Sequence, residues 1–288
     1  MPPSSNDGPV AWITGAGGLI GNYLAHTIPA QTPWRVHSLT RAELDLTDSA
    51  AVRALARREQ PQLIIHCAAL SKSPACQADP SLARRINVEV TACLSEIAAD
   101  ARLVFLSTDL VFDGRKGFYV ETDAVNPLSV YAETKVAAEQ IVLANPKHTV
   151  VRTSLNGGQS PTRDRGFNEE MRQAWTAGKT LNFFTDEFRC PIPAGVTAAA
   201  LWALVAKDCP GIYHLAGSER LSRWEIGLAL ARRYAELKPQ LQAGRLRDYQ
   251  GAPRSPDTSL DCAKFRHTVG FALPAFSRWL EEHPDEPF

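Results

Sequence analysis

Long apolar runs are missing from this 288-residue sequence: no window approaches the roughly 18 uninterrupted apolar residues of a membrane-crossing helix, so no span is expected. An excess of either charge is missing too, with 31 basic residues against 31 acidic ones and no long run of one sign. Generic electrostatic binding to a nucleic acid polymer or to an anionic membrane therefore has no basis, and only a local basic pocket remains open. The six cysteines, at 67, 76, 93, 190, 209 and 262, include no C-x-x-C pair. That spacing argues against a zinc ribbon or a disulfide framework and fits reduced thiols in a cytoplasm. No cluster of histidine, cysteine and carboxylates has metal-ligand spacing, although a carboxylate-bound Mg2+ at a subunit contact would leave no such pattern. The N-terminal MPPSSNDGP lacks the basic and apolar regions of a secretion signal and reads as an unstructured lead-in. These absences leave a cytoplasmic globular protein of one large domain or two modest ones.

What is present alternates. VAWIT (10–14), WRVHSL (34–39), QLIIHCA (62–68), RLVFLST (102–108) and HTVVRT (148–153) read as strands. Helical periods separate them: one from about Leu19, one over 46–59, one from Asp79 to about Ala99, and one over 128–144. Asp79 followed by Pro80 is a capping residue with proline at the first helical position. Such alternation signals βαβ units, and nearly continuous apolar strands signal a parallel sheet covered on both faces. The expected architecture is α/β, a doubly wound parallel (Rossmann) sheet over residues 1–152. A smaller, mainly substrate-binding lobe is expected over 153–288, with some of its segments returning to the sheet. There NGGQSPTRDRG (156–166) predicts a mobile loop, and helices return near 167–177, 197–207 and 222–237. LNFF and GIYHLA are strand-like.

At the first strand–helix junction stands TGAGGLIG, with Gly15, Gly18 and Gly21 spaced by two residues and Leu19 and Ile20 between the last pair. Glycine lets the backbone turn tightly and approach a pyrophosphate, whose charge is met by amides at the helix N-terminus. As a bare pattern this is weak, and its position in an alternating chain is what points to a dinucleotide. The end of the second strand then selects between cofactors: an acid there binds the ribose hydroxyls of NAD, a base the 2′-phosphate of NADP. The junction reads HSLTRAELD, with Arg41 and no acid between His37 and Thr40. NADP(H) is favoured over NAD(H), although a solvated Arg41 is the plain alternative and Glu43 lies close.

Two Y-x-x-x-K pairs occur, Tyr131 with Lys135 and Tyr234 with Lys238. Tyrosine ionises near pH 10 in water, too high for an easy proton donor at neutral pH, and an ammonium one helical turn away lowers that barrier. Tyr131 lies on the helix that follows the fourth strand, whose end carries Ser107-Thr108-Asp109. Ligands of doubly wound sheets bind at the carboxyl ends of strands, so Thr108 and Tyr131 can converge on a cofactor held at Gly15–Gly21. Tyr234 comes late in SRWEIGLALARRYAELK, on a face rich in solvated charge, with no hydroxyl-bearing strand end before it. Tyr131 is the catalytic candidate and Tyr234 the decoy.

Together these residues resemble the extended short-chain dehydrogenase/reductase superfamily. LSTDLVFDG (106–114), NPLSVYAETKVAAEQ (126–140), TRAELDLTD (40–48), IIHCAALS (64–71) and GIYHLAGSERLSRWEIG (211–227) are similar to the dTDP-4-dehydrorhamnose reductase family. The resemblance implies Thr108, Tyr131 and Lys135 as the catalytic trio of an oxidoreductase in dTDP-rhamnose biosynthesis. Tyr131 would protonate the C4 oxygen of a 4-keto nucleotide sugar, and Lys135 would hold the nicotinamide ribose. Asp45 and Leu46 would flank the adenine, Ala68 and Ala69 would line the dinucleotide, and Asn87 would stand near the active site. Asp45 also fits a helix-entry cap, and Asn87 a packing amide. In the second lobe the match weakens: RTSLNGG (152–158) replaces the family's RTSWVYG, which leaves Arg163, Arg165 and Arg189 as candidate substrate contacts. A homodimer is the assembly such a fold allows. Two other readings stand beside this one. The same chemistry would serve another sugar or carbonyl substrate. Alternatively the chain is a regulatory NADP-binding subunit like the methionine adenosyltransferase beta subunit, a relative that also resembles the reductases at these positions.

Overall fold

The computed structural model describes residues 8–288; residues 1–7, most of the expected lead-in, lie outside the described residues. The first half runs β1 (Val10–Thr14), α1 (Leu19–His26), β2 (Arg35–Leu39), α2 (Ser49–Glu59), β3 (Leu63–His66), α3 (Ser73–Ala78), α4 (Pro80–Arg84) and α5 (Val90–Ile97). It continues through β4 (Arg102–Thr108), α6 (Val130–Leu143) and β5 (Thr149–Thr153). Helix starts follow side-chain chemistry. The Asp48 carboxylate accepts from the amides of Ala50 and Ala51, so α2 opens at Ser49, three residues inside the expected segment. Asp79 accepts from Leu82 N at 2.9 Å, with Pro80 first in α4. The single helix expected from there to Ala99 is interrupted by a π-helical turn, Arg85–Glu89, between α4 and α5.

After Thr153 the chain forms β6 (Asn156–Gly157), α7 (Phe167–Thr176), β7 (Thr180–Phe184), β8 (Phe188–Arg189), β9 (Ile192–Pro193), α8 (Ala194–Lys207) and β10 (Gly211–Leu215). It ends in β11 (Leu221–Ser222), α9 (Arg223–Arg233), β12 (Gln240–Gly244), α10 (Ala263–Val269) and α11 (Phe276–Glu282). The main sheet has the order β10-β5-β4-β3-β1-β2, and every pairing in it is parallel. β10 therefore returns from the second half to pair with β5, Gly211 opposite Thr149. The expected Rossmann architecture is what the structure shows.

Alternation along the strands builds a core on each face of the sheet. Ala11, Ile13, Leu63 and Ile65 face one cluster with Leu24 of α1 and Leu201 of α8. Val10, Trp12, Ile64 and Phe105 face the other with Val52, Leu94 and Val142. A third cluster, with Trp175, Phe183, Ile226 and Phe276, holds the remainder of the second half together. The loop expected to be mobile is tied down. Glu169 of α7 accepts from the backbone amides of Ser160, Arg165 and Gly166, and Asn168 accepts from Gly158 N and donates to its carbonyl. A glycine-rich sequence signals a flexible backbone, but two side chains of the following helix satisfy its polar groups.

Candidate active site

A cleft of about 1030 Å³ lies across the carboxyl ends of the sheet strands, where the order reverses around β1. Its floor at one end is the turn from β1 into α1. Gly15 has φ +73°, and a Cβ there would stand 2.6 Å from Ala68 N. At Gly21 a Cβ would meet Gly15 O at 2.3 Å, so both positions exclude any side chain. Gly18 N donates to Gly15 O at 2.8 Å and closes the turn. The result is a bare backbone surface at a helix start with no acidic residue in its first turn, which fits a diphosphate. Leu19, Ile20, Ala68 and Ala69 line the same end.

Arg41, Asp45 and Leu46 line the cleft beyond the end of β2. Asp45 accepts from Thr47 N at 2.9 Å and Thr47 Oγ1 at 2.8 Å. Those bonds, with the smaller effect of nearby Arg41, hold its carboxyl below the usual range. The helix cap is Asp48. Glu43 is bonded to the His37 ring at 2.9 Å and is not among the lining residues.

Thr108 ends β4, and Tyr131 and Lys135 stand one turn apart on α6, whose start is fixed by Ser129 accepting from Ala132 N. All three are buried and line the cleft. Burial pushes the Tyr131 phenol well above its ordinary pKa and the Asp109 charge adds to this, while the Thr108 hydroxyl beside it acts the other way. Lys135 donates to Leu106 O at 2.7 Å, and its Nζ lies 3.9 Å from the centre of the Phe105 ring. Burial brings its pKa down to about 7, opposed by the Glu139 and Cys67 charges. The structure thus gathers the trio, but it gives the lysine to a backbone carbonyl where the spacing predicts a partner for the phenolate.

The second Tyr–Lys pair lies elsewhere. Tyr234 caps α9 inside the third cluster and donates its hydroxyl to the Phe288 carbonyl. Asn87, in the π-helical turn, is also outside the cleft lining. It accepts from Leu70 N at 2.8 Å and donates to Leu70 O at 3.1 Å and Thr134 Oγ1 at 3.0 Å, pinning the loop after β3 to α6.

Of the three candidate arginines, Arg189 and Arg165 line the cleft and Arg163 does not. Arg189 is buried and bidentate to Asp109, at 2.6 Å on both arms. Arg165 is held by Thr162 Oγ1 at 3.3 Å and by Asp164 at 3.2 Å. Sequence reasoning missed Glu187, Arg223 and Arg254, which line the cleft beside Arg189. Arg254 donates to both oxygens of Glu187, at 2.7 and 2.9 Å. Burial works to raise the Glu187 carboxyl, but the Arg254 bonds and the Arg223 charge outweigh it and leave it lowered. The Arg223 side chain makes no hydrogen bond among the described residues, and its Nη1 is buried. Burial pushes its pKa down to about 10, with Glu187 opposing and the charges of Arg189 and Arg254 adding. One sequence signal existed: Arg223 occupies the first position of α9, where the helix dipole favours an anion. A cation there is disfavoured locally and needs a purpose.

Chemically the cleft offers an anion cradle at each end and a phenol, a hydroxyl and an amine between them. Several known proteins share this sequence pattern and this fold. A dTDP-4-dehydrorhamnose reductase of Aggregatibacter actinomycetemcomitans is 30% identical over 285 residues, covering 93% of this chain and 96% of that one. The methionine adenosyltransferase 2 subunit beta of Xenopus laevis is 29% identical over 270 residues, covering 88% and 80%. In three dimensions, the dTDP-4-dehydrorhamnose reductase of Bacillus anthracis, crystallised with NADP, superposes with a TM-score of 0.87 at 24% identity, over 96% of this chain and 98% of that one. The sequence matches the RmlD substrate binding domain over residues 11–286, and the chain belongs to that family.

Proposed function

We propose that this protein is an NADP(H)-dependent reductase of a 4-keto nucleotide sugar, similar to the dTDP-4-dehydrorhamnose reductases. The observation that carries the reading is one cleft joining the bare glycine turn, the Thr108–Tyr131–Lys135 group and the unpartnered Arg223 guanidinium. When bound, the nicotinamide supplies hydride. Gly15, Gly18 and Gly21 with the start of α1 receive the cofactor's diphosphate, Ala68 and Ala69 line its path, and Asp45 and Leu46 flank the adenine. Arg41 meets the 2′-phosphate, since the neighbouring Glu43 is occupied by His37. Tyr131 gives its proton to the oxygen that hydride addition turns into an alkoxide, a far stronger base than any phenolate. The raised phenol is protonated at neutral pH, as an ordinary tyrosine is, but burial makes it a weaker acid, so its proton moves only once hydride addition has made the alkoxide. Lys135 holds the nicotinamide ribose. At the far end Arg223 and Arg254, with Arg165 at the rim, receive the substrate's diphosphate. No step is assigned to Mg2+.

Among the described residues no helix is long and apolar enough to cross a membrane, and six free cysteines suit a reducing cytoplasm, where we place the protein as a homodimer. The test is NADPH oxidation with a panel of 4-keto nucleotide sugars, using Tyr131→Phe as the blank. Turnover by the wild type alone supports the reading. Turnover by Tyr131→Phe within about threefold of wild type removes Tyr131 as the acid. Arg41→Ala is expected to weaken NADPH and spare NADH. The similarity to a methionine adenosyltransferase subunit favours one other reading, a regulatory partner, which wins if the protein binds another enzyme, changes its kinetics and reduces nothing.

A further inference from the structure

His37, near the end of β2, stands between two carboxylates. Its Nδ1 lies 2.9 Å from Glu59 Oε2 at the end of α2, and its Nε2 lies 2.9 Å from Glu43 Oε1 in the turn that follows β2. An ionised carboxylate only accepts hydrogen bonds, so both ring nitrogens carry hydrogen and the ring is an imidazolium. Glu59 is anchored independently. Its Oε2 also accepts from the buried Trp12 indole at 2.9 Å, and its Oε1 faces Arg58 at 3.3 Å. The ring is therefore fixed to the sheet on one side and holds Glu43 on the other.

Glu43 belongs to a tight turn in which its amide and that of Leu44 both donate to Thr40 O, at 3.2 and 3.0 Å. Thr40, Arg41, Leu44 and Asp45 of this turn line the cleft, and Glu43 does not. Arg41 is exposed there, and the acids beside it are engaged elsewhere, Glu43 by His37 and Asp45 by Thr47 N and Oγ1. A glutamate set free in the same turn competes for that guanidinium.

We propose that His37 is a positioning residue for cofactor selection: it holds Glu43 away from Arg41, so that the guanidinium stays open to the 2′-phosphate of NADP(H). The proposal rests on the NADP(H) reading of Arg41 given above and adds the residue that keeps Arg41 available. A neutral residue at position 37 lets Glu43 turn to Arg41 and cancel its charge. NADH, with a hydroxyl in place of the phosphate, loses nothing by that exchange.

The test is direct binding of NADPH and of NADH to the full chain at low salt, followed by the fluorescence of the reduced nicotinamide. His37→Phe is expected to raise the NADPH dissociation constant about fivefold, the worth of an exposed ion pair that now competes with the phosphate, and to leave NADH within about twofold. Adding Glu43→Gln to His37→Phe should return NADPH to within about twofold of wild type, and in an Arg41→Ala background His37→Phe should add nothing, since both act on one contact. High salt should shrink the effect. Glu59 keeps Trp12 and Arg58 in the variant, so its charge is not stranded. Should His37→Phe still fail to fold, His37→Val, suited to a strand, takes its place. NADPH and NADH weakened alike, NADPH unchanged, or no rescue by Glu43→Gln each overturns the proposal, and the cofactor reading outlives it if Arg41→Ala still weakens NADPH alone. A wild type that binds NADPH no more tightly than NADH removes both.

Discussion

At the scale of single residues, charges in and behind the cleft stand at different states of completion. Glu187 in its lining, and the buried Asp109 and Glu139 behind it, each face an arginine, at 2.7, 2.6 and 2.7 Å. Among the described residues Arg223 has no partner at ion-pair distance and only the longer-range charge of Glu187, and a poorly compensated, partly buried cation destabilises a fold in the general case. Arg223→Met is therefore expected to move two measurements in opposite directions. Thermal unfolding should rise, because a desolvated charge beside Arg189 and Arg254 is replaced by an apolar chain of similar length. KM for the nucleotide sugar should rise about 10–100-fold, the loss of one or two charge-assisted hydrogen bonds to a phosphate. kcat should change little, since Arg223 is not among the groups that act on the Tyr131 phenol. A variant that loses stability and keeps its KM would make Arg223 a packing residue. The sequence showed Tyr131, Lys135 and Thr108 because their spacing and order are local. It hid Arg254 and Glu187, 67 positions apart, because nothing in either segment refers to the other.

Elements of the first half were legible for the same reason. Each strand there is an apolar run and each helix an amphipathic period, properties contained within ten or so residues. The second half contains two-residue strands, β6, β8, β9 and β11, which are too short to carry a period and exist only through their partners. The π-helical turn at Arg85–Glu89 was likewise invisible, since a one-residue insertion leaves the helical composition unchanged. That turn carries Asn87, whose amide holds both backbone groups of Leu70, so it fixes the loop that lines the cleft from Leu70 to Ala75. Asn87→Ala leaves Leu70 N without its acceptor and takes one bond each from Leu70 O and Thr134, which keep Cys76 and the Tyr131 carbonyl, and should cost about 1–3 kcal/mol of stability. The NADPH dissociation constant should rise with it, measured by fluorescence at a temperature where the variant remains folded. An unchanged affinity at reduced stability would confine Asn87 to packing.

For the whole molecule the decisive features are buried groups that tie the sheet to its surroundings. His66 on β3 lies between Thr14 Oγ1 at 2.7 Å and Thr91 Oγ1 at 3.2 Å, fully enclosed under the cleft. Thr91 donates to Asn87 O at 2.7 Å, so the ring gives a hydrogen to Thr91 and accepts one from Thr14, a neutral arrangement with no room for a second proton. Burial, with the Lys135 charge, lowers its pKa to about 3. His214 on β10 bonds Tyr119 O at 3.0 Å and packs edge-on against Phe112. Burial and the Arg152 charge lower its pKa to about 4. In the unfolded chain both rings titrate near 6.5, so below that pH the unfolded state binds protons that the native state refuses. Stability is then whole above pH 6.5 and falls as the pH drops, by about 1.4 kcal/mol per unit for each histidine. The fall continues to about pH 4 for His214 and about pH 3 for His66. By pH 5 the two together remove about 4 kcal/mol, a large part of the roughly 5–15 kcal/mol typical of a folded protein. Lowered carboxylates contribute their own losses only nearer pH 4, and within the interval from 6.5 to 5 the lowered His148 adds to the loss while the raised His37 opposes it. Urea midpoints followed by circular dichroism should decline steadily across that interval, and His214→Gln should remove about 1.4 kcal/mol per pH unit from the slope. A midpoint flat from pH 6.5 to 5 would mean that these rings are reached by solvent and charged in the folded state.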